Sequence, residues 1–267
     1  MIKRFIQTLI RRLMMLLPKS ALLYLHRVIS RILSPEELTD AIMTTIKEQV
    51  RTLDPKTGLQ FLFTIDAALY PLESQGSVNY GNGIHTKHRH MQYHKFFTDR
   101  ISSDDIVLDM GCGIGALAFS IATETGATVL GLDYDPQNIK FAKERHVAPN
   151  VDYIVADIYD YVPQQAFNLV VLSNVLEHLE DRPALLRLIQ EKTQAQRFLI
   201  RVPRFDRHWS VPLKKELGVE WRLDTDHKTE FTPESFKEEM AQANLQIDFI
   251  DYRWDEIWAD LSILASN

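Results

Sequence analysis

The sequence is expected to fold as a doubly wound α/β domain: five parallel strands, a helix and an antiparallel hairpin in one mostly parallel seven-stranded sheet, preceded by a helical extension. Three features carry that expectation. After Ser102-Ser103-Asp104-Asp105, short runs rich in β-branched residues alternate with stretches of helical spacing. A glycine run, LDMGCGIG, leaves the first strand and opens a helix. The last two apolar runs, IDFIDYRW and IWADLSILA, are separated only by Asp255-Glu256, which leaves no room for a parallel crossover.

Length and composition set the frame. The 267 residues suffice for one sizeable domain with an extension or for two small domains. With 45% hydrophobic and 25% charged residues and no repetitive tract, the chain is of globular type. The single cysteine, Cys112, can form no internal disulfide, which suits a reducing cytoplasm. Residues 1–33 carry seven Lys and Arg and no acid, so an overall charge of -6 leaves -13 on the rest. An acidic body argues against nucleic acid as a partner, because binding phosphates requires a basic face.

The elements follow in order. Residues 2–17 place Ile2, Phe5, Ile6, Leu9, Ile10, Leu13 and Leu17 at helical spacing among Lys3, Arg4, Arg11 and Arg12, and Pro18 ends that helix. A second basic, apolar helix follows to residue 33. Arginine interrupts both, so neither is a membrane span or a signal peptide. Such a pair suits the headgroup layer of an anionic membrane, the inner face for a cytoplasmic protein, or else docks on its own domain or a second subunit, which leaves a homodimer open. Ser34-Pro35 restarts a helix to about residue 51, with Ser at N-cap and Pro at N1. Asp54 to Gly58 is a turn, residues 59–70 a helix, 76–83 a Gly/Asn loop, and 86–97 a further helix. Strands are expected at 106–111, 127–133, 151–157, 167–174 and 197–203, with helices at 114–124, 136–146 and 182–194 between them. Thr232-Pro233 caps a helix to about residue 245, ahead of the hairpin. Three parts result: a basic segment (1–33), a helical cap (34–95) and the α/β domain (96–267).

The strand ends carry the chemistry. Glycines at 111, 113 and 115 let the backbone turn sharply and let a ligand approach without a Cβ in the way. Their Gly-x-Gly-x-Gly spacing, with Ala116 next and Asp109 in front, departs from the dinucleotide pattern and disfavours an NAD-type oxidoreductase. Asp133 in GLDYD can accept both ribose hydroxyls. Asp157 and Ile158 suit an adenine amine and ring face. The fourth strand ends in SNVLEHL. All four lie where open α/β sheets bind ligands.

On these motifs and the terminal hairpin, the region from about Phe96 onward resembles the class I S-adenosylmethionine-dependent methyltransferases, with their Rossmann-like sheet. The resemblance implies S-adenosylmethionine as cofactor. Asp109, Gly111, Gly113 and Gly115 would hold its methionine part, Asp133 its ribose, and Asp157 and Ile158 its adenine, with Cys112, Tyr134 and Asn174 also binding the cofactor. It also implies in-line methyl transfer, in which the protein aligns donor and acceptor and excludes water. A catalytically idle scaffold is the other alternative, against which every expected cofactor position is chemically intact.

The acceptor is expected to be a small molecule or glycan, a hydroxyl on a sugar or envelope-glycan precursor, with a quinone or lipid head group as the competitor. His178, Asp226 and His227 are candidates for removing its proton. So are His85 and His88, in a segment holding four histidines, Lys87 and Arg89 that would form a polar pocket or a lid. His90 and His94 would share one helix face, but no third ligand accompanies them, so no metal is expected.

Overall fold

The computed structural model describes Ser20 and residues 32–83, 85–161, 163 and 165–264. The basic segment 1–33 lies almost wholly outside the described residues. Among the described residues no helix is long and apolar enough to cross a membrane. The chain divides into two compact units, Met1–Phe63 and Thr64–Asn267.

In the first unit, helix α1 (Pro35–Val50) begins as the sequence predicts. Ser34 accepts from the Glu37 amide and Glu37 from the Ser34 amide, a reciprocal capping box, with Pro at N1. Helix α2 (Pro55–Tyr80) runs well past the expected residue 70, through Pro71 and Gly76. One glycine costs roughly 1 kcal/mol in a helix, too little to stop one this long. The stop comes at Gly81-Asn82-Gly83, where Asn82 and Gly83 take positive φ.

The second unit holds the sheet. The expected single helix over 86–97 is two, α3 (Thr86–Met91) and α4 (Tyr93–Thr98), broken at Gln92 with φ of 49°. His90 and His94 therefore share no helix face: His90 lies 6.3 Å from the Trp254 ring and His94 hydrogen-bonds Ser120 at 2.8 Å. Then follow β1 (Ile106–Met110), α5 (Ala116–Thr125), β2 (Thr128–Asp133), α6 (Pro136–Arg145), β3 (Val151–Val155), β4 (Leu169–Ser173), α7 (Arg182–Thr193) and β5 (Arg197–Pro203). Helices α8 (Ser210–Glu216) and α9 (Pro233–Gln242) precede β6 (Leu245–Arg253) and β7 (Glu256–Ile263).

The seven strands lie in the order β3-β2-β1-β4-β5-β7-β6, the first five parallel and the last two antiparallel, as the sequence predicts. The hairpin turn is Trp254-Asp255 rather than Asp255-Glu256: Arg253 pairs with Glu256, which already belongs to β7. Successive residues of β1 feed opposite sides. Val107 packs with Phe97, Ile121 and Trp258 on one face, and Leu108 with Leu172, Phe198 and Phe236 on the other. Both faces being covered, the strands read as continuous apolar runs.

Candidate active site

The glycine loop between β1 and α5 is held by its own amides. Gly111 and Cys112 both donate to the Leu132 carbonyl (2.8 and 2.9 Å), and Gly115 donates to the Cys112 carbonyl at 3.0 Å. Gly113 donates to Asp133 Oδ2 at 2.9 Å. The loop thus offers a ligand close approach rather than free N–H donors. Gly111, at φ of 77°, has no space for a side chain: a Cβ there would sit 2.6 Å from Val175 Cγ2. A Cβ on Gly115 would meet Ala142 and Tyr153 at 2.7 Å, so its role is close packing of α5 against β3 and α6. The Cys112 side chain likewise packs beside Gly131, and burial pushes its thiol far above the usual range.

Beside this loop, over the ends of β1 to β4, a cleft of about 300 Å³ is lined by Gly111, Asp133, Tyr134, Asp157, Ile158 and Asn174. Six residues expected from the sequence thus meet in one place. Asp133 is fixed by amides of Gly113 and Asp135 and by Asn138 Nδ2. Asp157 Oδ1 accepts from the Tyr159 amide at 2.9 Å, and Tyr159, which the sequence did not flag, also lines the cleft. Two buried oxygens, Asp109 Oδ2 and Asn174 Oδ1, find no hydrogen-bond partner among the described residues. Burial first, and then the nearby Asp133, push the Asp109 carboxyl up to about 7. A buried polar atom without a partner costs on the order of 1–3 kcal/mol. A ligand bringing a cation to Asp109 and a donor to Asn174 would recover that cost, and an amino acid's ammonium group does the first.

The same cleft reaches His178, Leu179 and Asp226. His178 Nδ1 lies 3.1 Å from Asp226 Oδ2, which leaves Nε2 for another partner. His178 also stacks edge-on against His227, with ring centroids 4.8 Å apart. His227 is buried, its Nδ1 held at 3.1 Å by Glu230 Oε1, and Glu230 is in turn bound by Arg207. Three candidates from distant parts of the sequence, His178, Asp226 and His227, are therefore neighbours.

Glu177 stands between them and the interior. Neither of its side-chain oxygens has a hydrogen-bond partner among the described residues. Burial pushes its carboxyl up to about 8, against a lowering by the Arg201 charge. Glu177, His178 and His227 can each offer one ligand atom, all within 4.8 Å of one another. This group lies away from His90 and His94, the pair in which the sequence offers no third ligand. A carboxylate with two imidazoles is a donor set for a divalent cation.

His85 and His88 stand apart from this group. His85 caps α3, its Nδ1 accepting from the Lys87 amide at 3.0 Å. His88 packs edge-on against Tyr93, and burial followed by the Arg201 charge lowers its pKa. Both line a separate cavity of about 1080 Å³, walled also by Ile114 and Phe141, and neither lines the cleft. Lys87 turns elsewhere, to Asp255 at 3.0 Å and Glu256 at 2.7 Å. Glu256 also pairs with Arg201 at 2.9 Å, whose guanidinium lies 3.9 Å from the centre of the Tyr93 ring. The sequence carried two signals for this pair: an arginine inside the apolar run RFLIRVP and an acid beside IWADL.

Comparison with known proteins shows the family and the fold. A family model described as a methyltransferase domain matches residues 84–248. Phosphoethanolamine N-methyltransferase 1 of Arabidopsis thaliana is 36% identical over 84 residues, 30% of this chain and 17% of that protein. A ubiquinone biosynthesis O-methyltransferase of Xanthomonas axonopodis pv. citri is 30% identical over 173 residues, 60% of this chain and 71% of that protein. Among solved structures, magnesium protoporphyrin IX methyltransferase of Synechocystis, with bound SAH, aligns with a TM-score of 0.52 at 15% identity, covering 65% of this chain and 83% of that one.

Proposed function

The chain belongs to the methyltransferase-domain family, and from that premise we propose that it is an S-adenosylmethionine-dependent methyltransferase that methylates a hydroxyl oxygen on a sugar or envelope-glycan precursor. The observation that supports the oxygen chemistry is that His178 and Asp226 line the cleft, with the His227 ring edge-on to His178 at 4.8 Å. When bound, S-adenosylmethionine supplies an electrophilic methyl group on a sulfonium.

The residues fit that cofactor. Asp109 would take the ammonium group, Asn174 Oδ1 a donor of the same ligand, Asp133 the ribose, and Asp157, Ile158 and Tyr159 the adenine. These walls would hold the acceptor oxygen in line with the methyl carbon and its sulfur leaving group and exclude water. The hydroxyl proton passes to His178 Nε2, with Asp226 holding the opposite ring nitrogen and steadying the imidazolium. The ordered proximity of donor, acceptor and base supplies most of the rate.

A second reading is favoured by the unpartnered Glu177: a divalent cation held by Glu177, His178 and His227 would lower the pKa of the acceptor hydroxyl directly. Metal analysis of the purified protein, with turnover before and after chelation, separates the two. A quinone or lipid head group is the competing acceptor, given the relatives named for ubiquinone biosynthesis and for phosphoethanolamine. In the membrane part of the reading, basic residues 1–33 hold the enzyme at an anionic surface, and deleting them should release it from vesicles containing phosphatidylglycerol.

The test is transfer from methyl-labelled S-adenosylmethionine into fractionated cell extract. Label in a saccharide fraction as a base-stable ether supports the reading. Label confined to quinones, or to amines, contradicts it.

A further inference from the structure

A second cavity opens at the same edge of the sheet as the cofactor cleft, over its other half. The cleft lies over the ends of β3, β2, β1 and β4. The second cavity, about 780 Å³, is walled by Arg207 after β5 and by Trp254 and Asp255 in the β6–β7 turn. The two share a partition: Thr225 lines the cavity, and the next residue, Asp226, lines the cleft beside His178.

The charges in its wall are already paired. Lys87 meets Asp255 at 3.0 Å, Lys214 meets Asp66 at 2.7 Å and Arg222 meets Glu220 at 2.8 Å. Arg207 binds Glu230 and donates to the Trp221 carbonyl at 2.8 Å. An anion-binding site presents unpaired cations in a fork to the oxygens of phosphate or carboxylate. A wall of side-by-side cation and carboxylate instead offers donors and acceptors together, as a hydroxyl requires, being both.

The remaining wall is aromatic. Tyr70 and Trp254 are half or more exposed, and Trp221 stands edge-on to Phe205 at 5.1 Å. Trp254 is the informative one. It occupies the first position of a two-residue hairpin turn at φ of 52°, where glycine or asparagine fits and a bulky side chain does not. Local structure gives no reason for tryptophan there, whereas a ring at the cavity's rim does. Aromatic faces beside hydroxyl-matching pairs suit a pyranose, which carries a C–H face and an equatorial belt of hydroxyls.

The geometry points to this cavity as the acceptor site and to an uncharged saccharide ring as its occupant, stacked on Trp254 and hydrogen-bonded to the ion pairs of the wall. The inference rests on the reading of the enzyme as a sugar O-methyltransferase and narrows it, excluding a sugar recognised through its phosphate.

The test is binding of a panel of methyl hexosides to the full-length protein saturated with S-adenosylhomocysteine, read by saturation-transfer NMR. Inorganic phosphate and a short-chain benzoquinol serve as the other probes. Trp254→Gly is the variant of choice, since glycine relieves the turn and leaves the fold intact. Trp221→Ala is the second. The expected result is hexoside binding that weakens at least tenfold in both variants, with unchanged affinity for S-adenosylhomocysteine and no competition by phosphate. Hexosides that bind the variants as well as the parent overturn the assignment of the cavity. Phosphate or benzoquinol binding in place of hexosides overturns the saccharide. Failure of the sugar reading itself is seen separately, in label transfer to a non-saccharide fraction.

Discussion

The two halves of the sheet end at the same edge but differ in how far the charged groups of their walls are paired. Over β3, β2, β1 and β4, the buried oxygens of Asp109 and Asn174 have no partner among the described residues. Over β5, β7 and β6, the cations of the wall already meet carboxylates: Lys87 with Asp255, Arg207 with Glu230, and Lys214 with Asp66. The first half is built around a ligand that brings a charge. In the second the charged side chains that line the cavity are paired, although Asp255 Oδ1 has no hydrogen-bond partner among the described residues. Between them stand Glu177, His178 and His227.

The comparison breaks most readily at Asp109. Truncating one side of a buried charge pair costs roughly 2–5 kcal/mol, so Asp109→Asn should weaken S-adenosylhomocysteine binding about thirtyfold or more, seen by calorimetry. In the middle, His178→Gln should lower kcat by about 10²–10⁴, the usual span for a lost general base, and leave S-adenosylhomocysteine affinity unchanged. An equal loss of affinity would move His178 from the acceptor side to the donor side.

The pH dependence sharpens the same contrast. The Asp109 carboxyl, raised to about 7 in the free protein, is stabilised as carboxylate when an ammonium group arrives, which lowers its pKa. Binding below pH 7 must therefore release a proton, and affinity should fall by up to about tenfold per pH unit as pH drops from 7. Titrations at pH 6 and 8, in buffers of different ionisation heat, show both the slope and the proton. In Asp109→Asn the slope should vanish. The smallest effect is expected at His85, whose ring caps α3. His85→Ala should cost about 1 kcal/mol of stability, a shift of a few degrees in Tm, with kcat unchanged. A lost kcat would return His85 to the acceptor site.

The difference between the halves also governs what the sequence discloses. The donor half is assembled from strand ends, and each strand carries its own residue in a fixed local setting: Gly111 in its turn, Asp133 after β2, Asp157 after β3. Periodicity locates the strands, and the motif then locates the side chain. The acceptor half is assembled from partners far apart in sequence. Arg207 with Glu230, Lys87 with Glu256 and His178 with Asp226 have no local signature, and only the closed sheet brings them together. Glu177 lies inside SNVLEHL, and the motif alone does not disclose it, because its meaning lies in its burial. The expected helix over 86–97 failed for a related reason. Gln92 at φ of 49° breaks it, and Met91, Phe96 and Phe97 are thereby buried in the core, a tertiary gain that helical spacing does not show. Helix α2 differs in the other direction: the sequence suggests a loop from Gly76, but one glycine costs only roughly 1 kcal/mol in a helix of 26 residues.

The most direct test of the division is calorimetry of S-adenosylhomocysteine against Asp109→Asn and Trp254→Gly side by side. The account expects the first to lose most of its affinity and the second to match the parent protein. Undiminished binding in Asp109→Asn, or a comparable loss in Trp254→Gly, would contradict it.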